Sequence, residues 1–128
     1  MYKLALLVGL GGFLGTIARF LSHQLVVRFY PVVFPIGTLA INLAGCLIIG
    51  VFYSWFEKNQ VLSPEWRLFL TTGFCGGFTT FSAFTIESLL LMQHREYFYL
   101  SIYVAVSVIG GIAATFLGMW LMRTILIN

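Results

Sequence analysis

Four runs of apolar residues, at about 4 to 27, 36 to 56, 67 to 92 and 97 to 126, dominate this chain. Each is long enough for the roughly 20 residues that carry a helix across a bilayer. With 60% of its residues hydrophobic and only 9% charged, the chain has too little polar surface to cover a water-facing globule of 128 residues. The reading is an all-α membrane protein, a single four-helix transmembrane domain over residues 1 to 128, with both termini on one side. Pro31 and Pro35 bracket the first connection, Glu57 to Pro64 makes the second, and His94, Arg95 and Glu96 the third. Residues 1 to 25 have the length of a signal peptide, but Arg19 interrupts the run and no small-residue cleavage site follows, so an uncleaved span is expected.

Charge divides almost evenly between the two sides. Lys3, Lys58, Arg67 and Arg123 fall on the side of the termini, against Arg28, Arg95 and the nearby Arg19 on the other, so the positive-inside rule has little bias to act on, and charge alone leaves two readings equally open: insertion in both orientations, or one orientation decided by one or two flanking residues. The net charge of +3 is ordinary for membrane flanks and implies no nucleic-acid partner. Cys46 and Cys75 lie inside apolar runs without CxxC spacing, which reads as small packing residues rather than a zinc site or disulfide. His23 and His94 sit near span ends and lack the carboxylate and nucleophile neighbours of a catalytic set, so no enzyme is expected.

The third run departs from the others. Its segment GFCGGFTTFSAFTIE, residues 73 to 87, places Gly73, Gly76 and Gly77 just before Thr79, Thr80, Ser82 and Thr85, with phenylalanines at 74, 78, 81 and 84. This pattern predicts a broken third helix, and lipid tolerates broken backbone only where protein or a cavity satisfies it. Small residues at four-residue spacing, Gly11 and Gly15, Ala40 and Ala44, and Gly110, Ala114 and Gly118, predict close helix approach. Helices packed that tightly leave no path among themselves, so a transported solute would pass at an interface between subunits.

Few polar residues lie within the runs. Asn42 offers an amide with two donor hydrogens to an anion, or to a neighbouring helix as glue. Glu87 is an intramembrane carboxylate, a functional position by default, with hydrogen bonds from nearby threonines as its structural role. Arg19 either snorkels to the interface or attracts an ion. Phe81 and Phe84, three apart, share a helix face beside the break, where positive ring edges can meet an anion. Tyr103, Ser107 and Thr115 follow a four-residue step, with Gly111 in the gap.

GGFLGTIARF at 11 to 20, PIGTLAINLAGCLIIG at 35 to 50 and GFCGGFTTFSAFTIE at 73 to 87 together resemble the Fluc (CrcB) family of fluoride channels. That resemblance implies an antiparallel dual-topology homodimer in the plasma membrane, with two fluoride pores along its interface and a structural sodium ion at its centre. It implies that Phe81 and Phe84 meet fluoride edge-on, that Asn42 lies in the pore, that Arg19 stands in the vestibule, and that carbonyls of Gly76 and Thr79 hold the sodium. Thr38, Ser82, Thr85, Glu87, Tyr103, Ser107 and Thr115 match or neighbour the family's polar track and gating hydrogen bonds, while Gly111 departs by standing where members often carry a serine. A small dual-topology proton-coupled multidrug antiporter is the alternative, but its carboxylate is wanted deep in the pocket, the first run has none, and Glu87 would have to serve. A subunit active only in a larger assembly is the third reading.

Overall fold

The computed structural model of the chain describes residues 1–60 and 62–127. Four helical spans, Tyr2–Phe29, Ile36–Lys58, Pro64–Gln93 and Tyr97–Leu126, are each long and apolar enough to cross a membrane. Turn chemistry sets their ends. Pro35 precedes the second span and Pro64 opens the third, where a missing N–H costs a helix nothing. The third span closes on a left-handed residue, Arg95 at φ 59°, with Glu96 N–H donating to Leu91 O and Arg95 N–H to Met92 O. These are the two hydrogen bonds of a Schellman stop. The chain thereby reverses in a few residues, and Tyr97–Ala105 returns against Phe81–Gln93.

Two pairings organise the bundle. The first span packs on the opening half of the third, and the second packs on the fourth. A Cβ added at Gly15 would overlap the Phe74 carbonyl, one at Gly77 would overlap Gly12 O, and one at Gly118 would overlap Leu47 O. These glycines therefore set backbone-to-backbone contact between spans. Ala44, expected in a similar strip, is exposed in the chain taken alone.

The third span is broken, but not at its glycines. Pro64–Leu68 is α-helical, Phe69–Cys75 widens into a π-helix, and Gly76–Phe78 is a last α-helical turn. Thr79 (φ −86°, ψ 158°) and Thr80 (φ −147°, ψ 117°) are then extended, and a new helix starts at Phe81. No described glycine has positive φ. Gly73 and Gly77 lie in helical backbone and face the first span, so they are small for packing rather than for flexibility. The break hands the third span from one neighbour to another: before it the helix lies on the first span, after it on the fourth. The fourth span contains a second π stretch, Val106–Gly110, between α-helical Tyr97–Ala105 and Gly111–Ile127.

At the end nearest the termini, Arg123 pairs with Glu57 at 3.0 Å, half-exposed on both sides. Arg67 donates to Phe56 O at 3.3 Å and sits 5.6 Å above the Phe56 ring.

Candidate functional site: a groove at the broken helix

Thr79 N–H still donates to Cys75 O at 3.0 Å, but the extended Thr80 would have no helical partner for its backbone groups at membrane depth, where each orphan costs several kcal/mol. Asn42 supplies the remedy from the middle of the second span. Its Nδ2 donates to Thr80 O at 2.9 Å, and its Oδ1 accepts from Thr80 N–H at 2.8 Å. Of the two roles named for this residue, the interhelical one is the one these bonds fill. One amide hydrogen and the amide oxygen serve as interhelical glue, and the second hydrogen is left over. Thr80 Oγ1 accepts from Ala83 N–H at 3.2 Å and so caps the helix that follows. Thr79 is drawn in from the other side: its hydroxyl donates to Cys75 O at 2.9 Å, and its methyl fills space that a Cβ on Gly45 would occupy.

Around the break lies an open groove of about 400 Å³. Asn42, Gly45, Cys46 and Ile49 of the second span form one wall, the third span from Thr71 to Phe84 another, and Ser107 and Val108 of the fourth a third. Both π stretches border it, through Thr71 and Cys75 on one side and Ser107 and Val108 on the other. Wider helical turns of this kind recur at functional sites because they redirect side chains and leave carbonyls loosely held. Ser107 Oγ is buried and finds no partner among the described residues. Phe81 is 77% exposed at the rim, and its ring centroid stands 5.6 Å from that of Phe84.

Behind Phe84 is a second polar cluster. Glu87 accepts from Thr38 Oγ1 at 2.7 Å and from Tyr103 OH at 2.6 Å, one donor on each carboxylate oxygen. Thr38 and Tyr103 are fully buried. The Tyr103 ring packs 5.1 Å from Phe84 and 5.7 Å from Phe34. Three spans are thus tied through one carboxylate, and Phe84 is the wall between this cluster and the groove.

Of the residues singled out from sequence, the groove gathers Asn42, Gly76, Thr79, Phe81, Phe84 and Ser107. Thr38, Glu87 and Tyr103 stand behind it. Ser82 and Thr85 are exposed beyond the break, Ser82 Oγ lying 3.3 Å from Thr80 Oγ1 and Thr85 donating to Ser82 O at 2.9 Å. Thr115 donates to Gly111 O at 3.1 Å and does not line the groove. Arg19 is also apart from it, with a buried Nε that has no partner among the described residues. Sequence reasoning passed over Thr71, Gly45 and the two cysteines as groove walls. Cys46 and Cys75 do face it, and only their small size within polar-flanked apolar runs could have pointed there.

The break also frees backbone carbonyls from helical bonding. Gly76 O loses its usual helical partner because Thr80 N–H is given to Asn42, and Thr79 is extended beside it. Among the described residues no cluster of three or more His, Cys, Asp or Glu could hold a metal.

Residues 6–119 match the family model for CrcB-like protein, Camphor Resistance (CrcB). The chain belongs to the CrcB family. It is 48% identical over 122 residues to a fluoride-specific ion channel FluC of Chlorobium phaeobacteroides, covering 95% of this chain and 94% of that protein. Its identity to the protein of the same name from Chlorobaculum tepidum is 50% over 116 residues, 91% of each. With the Escherichia coli O139:H28 protein of that name it is 42% over 123 residues, 94% of each. This CrcB-family chain is a multi-pass membrane protein, and the relatives are named as channels rather than enzymes.

Proposed function

We propose that this protein is a passive, fluoride-selective channel of the plasma membrane that lets fluoride leave the cytoplasm. The observation that carries the reading is the groove at the break. Asn42 keeps one amide hydrogen after pinning Thr80, Ser107 keeps an unclaimed hydroxyl, and the Phe81 and Phe84 rings flank the same space. Amide, hydroxyl and positive ring edges are donors without a full charge. They can replace the hydration of a small anion without binding it so firmly that it stays. The names carried by the relatives agree with this chemistry.

An open groove on the flank of one subunit becomes a closed passage when a second subunit covers it, and the near-even division of basic residues favours an inverted partner. In this reading the protein is an antiparallel dual-topology homodimer, each pore combining residues of both copies. The freed carbonyls of Gly76 and Thr79 fit a structural sodium at the centre, which would supply positive charge to offset their dipoles. Thr38, Glu87 and Tyr103 brace Phe84, and the family resemblance, rather than the groove's lining, is what assigns Ser82, Thr85 and Thr115 to a hydroxyl path that includes Ser107, with Arg19 at its mouth.

Export needs no coupled fuel. An inside-negative potential contributes roughly 2.3 kcal/mol per charge per 100 mV, which supports about a fifty-fold gradient. The antiporter alternative gains nothing from the geometry, because each oxygen of Glu87 already accepts from a neighbouring span. Reconstitution into liposomes with a fluoride electrode tests the proposal. Uncoupled fluoride efflux that rises with potential is expected, whereas flux that requires a proton gradient, or none at all from the purified protein, would overturn it.

A further inference from the structure

A second cleft, of about 300 Å³, lies apart from the groove where the first and third spans begin, lined by Lys3, Leu7, Ser63, Glu65, Trp66 and Phe69. Its upper residues stand at span ends, the depth of phospholipid headgroups, and Trp66 is 56% exposed there as interfacial tryptophans commonly are. Leu7 is one turn deeper on the first helix and Phe69 one turn deeper on the third, where its ring meets Trp66 edge-on at 5.5 Å. The cleft is therefore polar at the headgroup level and apolar below it.

Its charges are opposite and separate. Arg123–Glu57 is the single ion pair among the described residues, so Lys3 and Glu65 face the same cleft without pairing to each other. Arg67, the other cation close in sequence, is turned to the Phe56 carbonyl and ring. One ammonium and one carboxylate flanking an open space complement a ligand that carries both charges.

We propose that this cleft seats a phospholipid with a primary ammonium headgroup, of the phosphatidylethanolamine class. Lys3 meets the phosphate in a charge-assisted hydrogen bond, the ligand's ammonium donates to Glu65, and the upper acyl chain lies on Leu7 and Phe69. Phosphatidylcholine has no N–H to give Glu65, and phosphatidylglycerol brings no positive charge to it. The site is independent of the fluoride pathway, since it shares no residue with the groove.

Native mass spectrometry of the purified protein with dioleoyl phosphatidylethanolamine, phosphatidylcholine and phosphatidylglycerol tests this. Retention of phosphatidylethanolamine about threefold above phosphatidylcholine is expected, the scale of one exposed charge contact. Glu65→Gln should reverse the preference toward phosphatidylglycerol, because Lys3 then stands alone. Lys3→Gln should lower retention of all three lipids, which share the phosphate, while Lys3→Arg, and Lys58→Gln outside the cleft, should leave retention and preference unchanged, with gel filtration confirming that each variant is intact. Equal retention of the three lipids, or a Glu65→Gln variant that still prefers phosphatidylethanolamine, would overturn the proposal. So would displacement of the lipid by an equal concentration of water-soluble glycerophosphoethanolamine, which has the headgroup without the chains.

Discussion

Replacing Asn42 by Asp separates the two things that its amide does, because the substitution keeps shape and acceptor but removes the donor. One carboxylate oxygen can still accept from Thr80 N–H, now 2.8 Å from Oδ1. The other would face Thr80 O across the present 2.9 Å with no proton between them. Losing that bond leaves a part-buried carbonyl unsatisfied, so destabilisation of about 1–3 kcal/mol is expected. Asn42→Ala orphans both backbone groups of Thr80 and should cost about 2–6 kcal/mol. Fluoride efflux from Asn42→Asp liposomes should fall at least about tenfold at neutral pH, which needs only about 1.4 kcal/mol at the barrier. Thermal unfolding and efflux, with protein-free liposomes as baseline, report the two effects separately. An Asp variant with wild-type stability and flux, beside an equally stable Asn42→Ala, would refute the staple.

Phe81→Ile or Phe84→Ile should each lower fluoride flux by about a decade or more while the protein remains folded, since Ile keeps apolar bulk but loses the positive ring edge. Phe78→Ile, whose ring is buried and stacked 6.0 Å from Phe74, should instead lower the melting temperature and spare flux. Gly15→Ala should destabilise by at least about 1–3 kcal/mol in thermal unfolding, because its methyl would overlap the Phe74 carbonyl and push the first span from the third. Adding about two or three arginines to one side or the other should lock orientation, leaving each variant inactive alone and active when coexpressed; full flux from one locked form would contradict an inverted pair.

Four spans, a break in the third and an interhelical role for Asn42 were all legible in the sequence, because hydrophobic length, turn residues and a rare intramembrane amide act locally and leave local marks. The position and agent of the break were not. Three glycines beside a threonine pair point to the glycines, yet Gly73 and Gly77 stay helical and face the first span, whereas Thr79 and Thr80 unwind. What decides is a hydrogen-bond account that closes only in three dimensions: Asn42, 38 residues away, can satisfy Thr80 N–H and O together. The same holds for Glu87, whose donors proved to be one threonine and one tyrosine from two other spans. The π stretches that open the groove wall have no residue signature in the chain, since they depend on which neighbour each turn meets. Composition and periodicity determined that this protein crosses a membrane and roughly where. Only the packing of its helices decided which polar groups were spent on holding the fold and which were left without a partner.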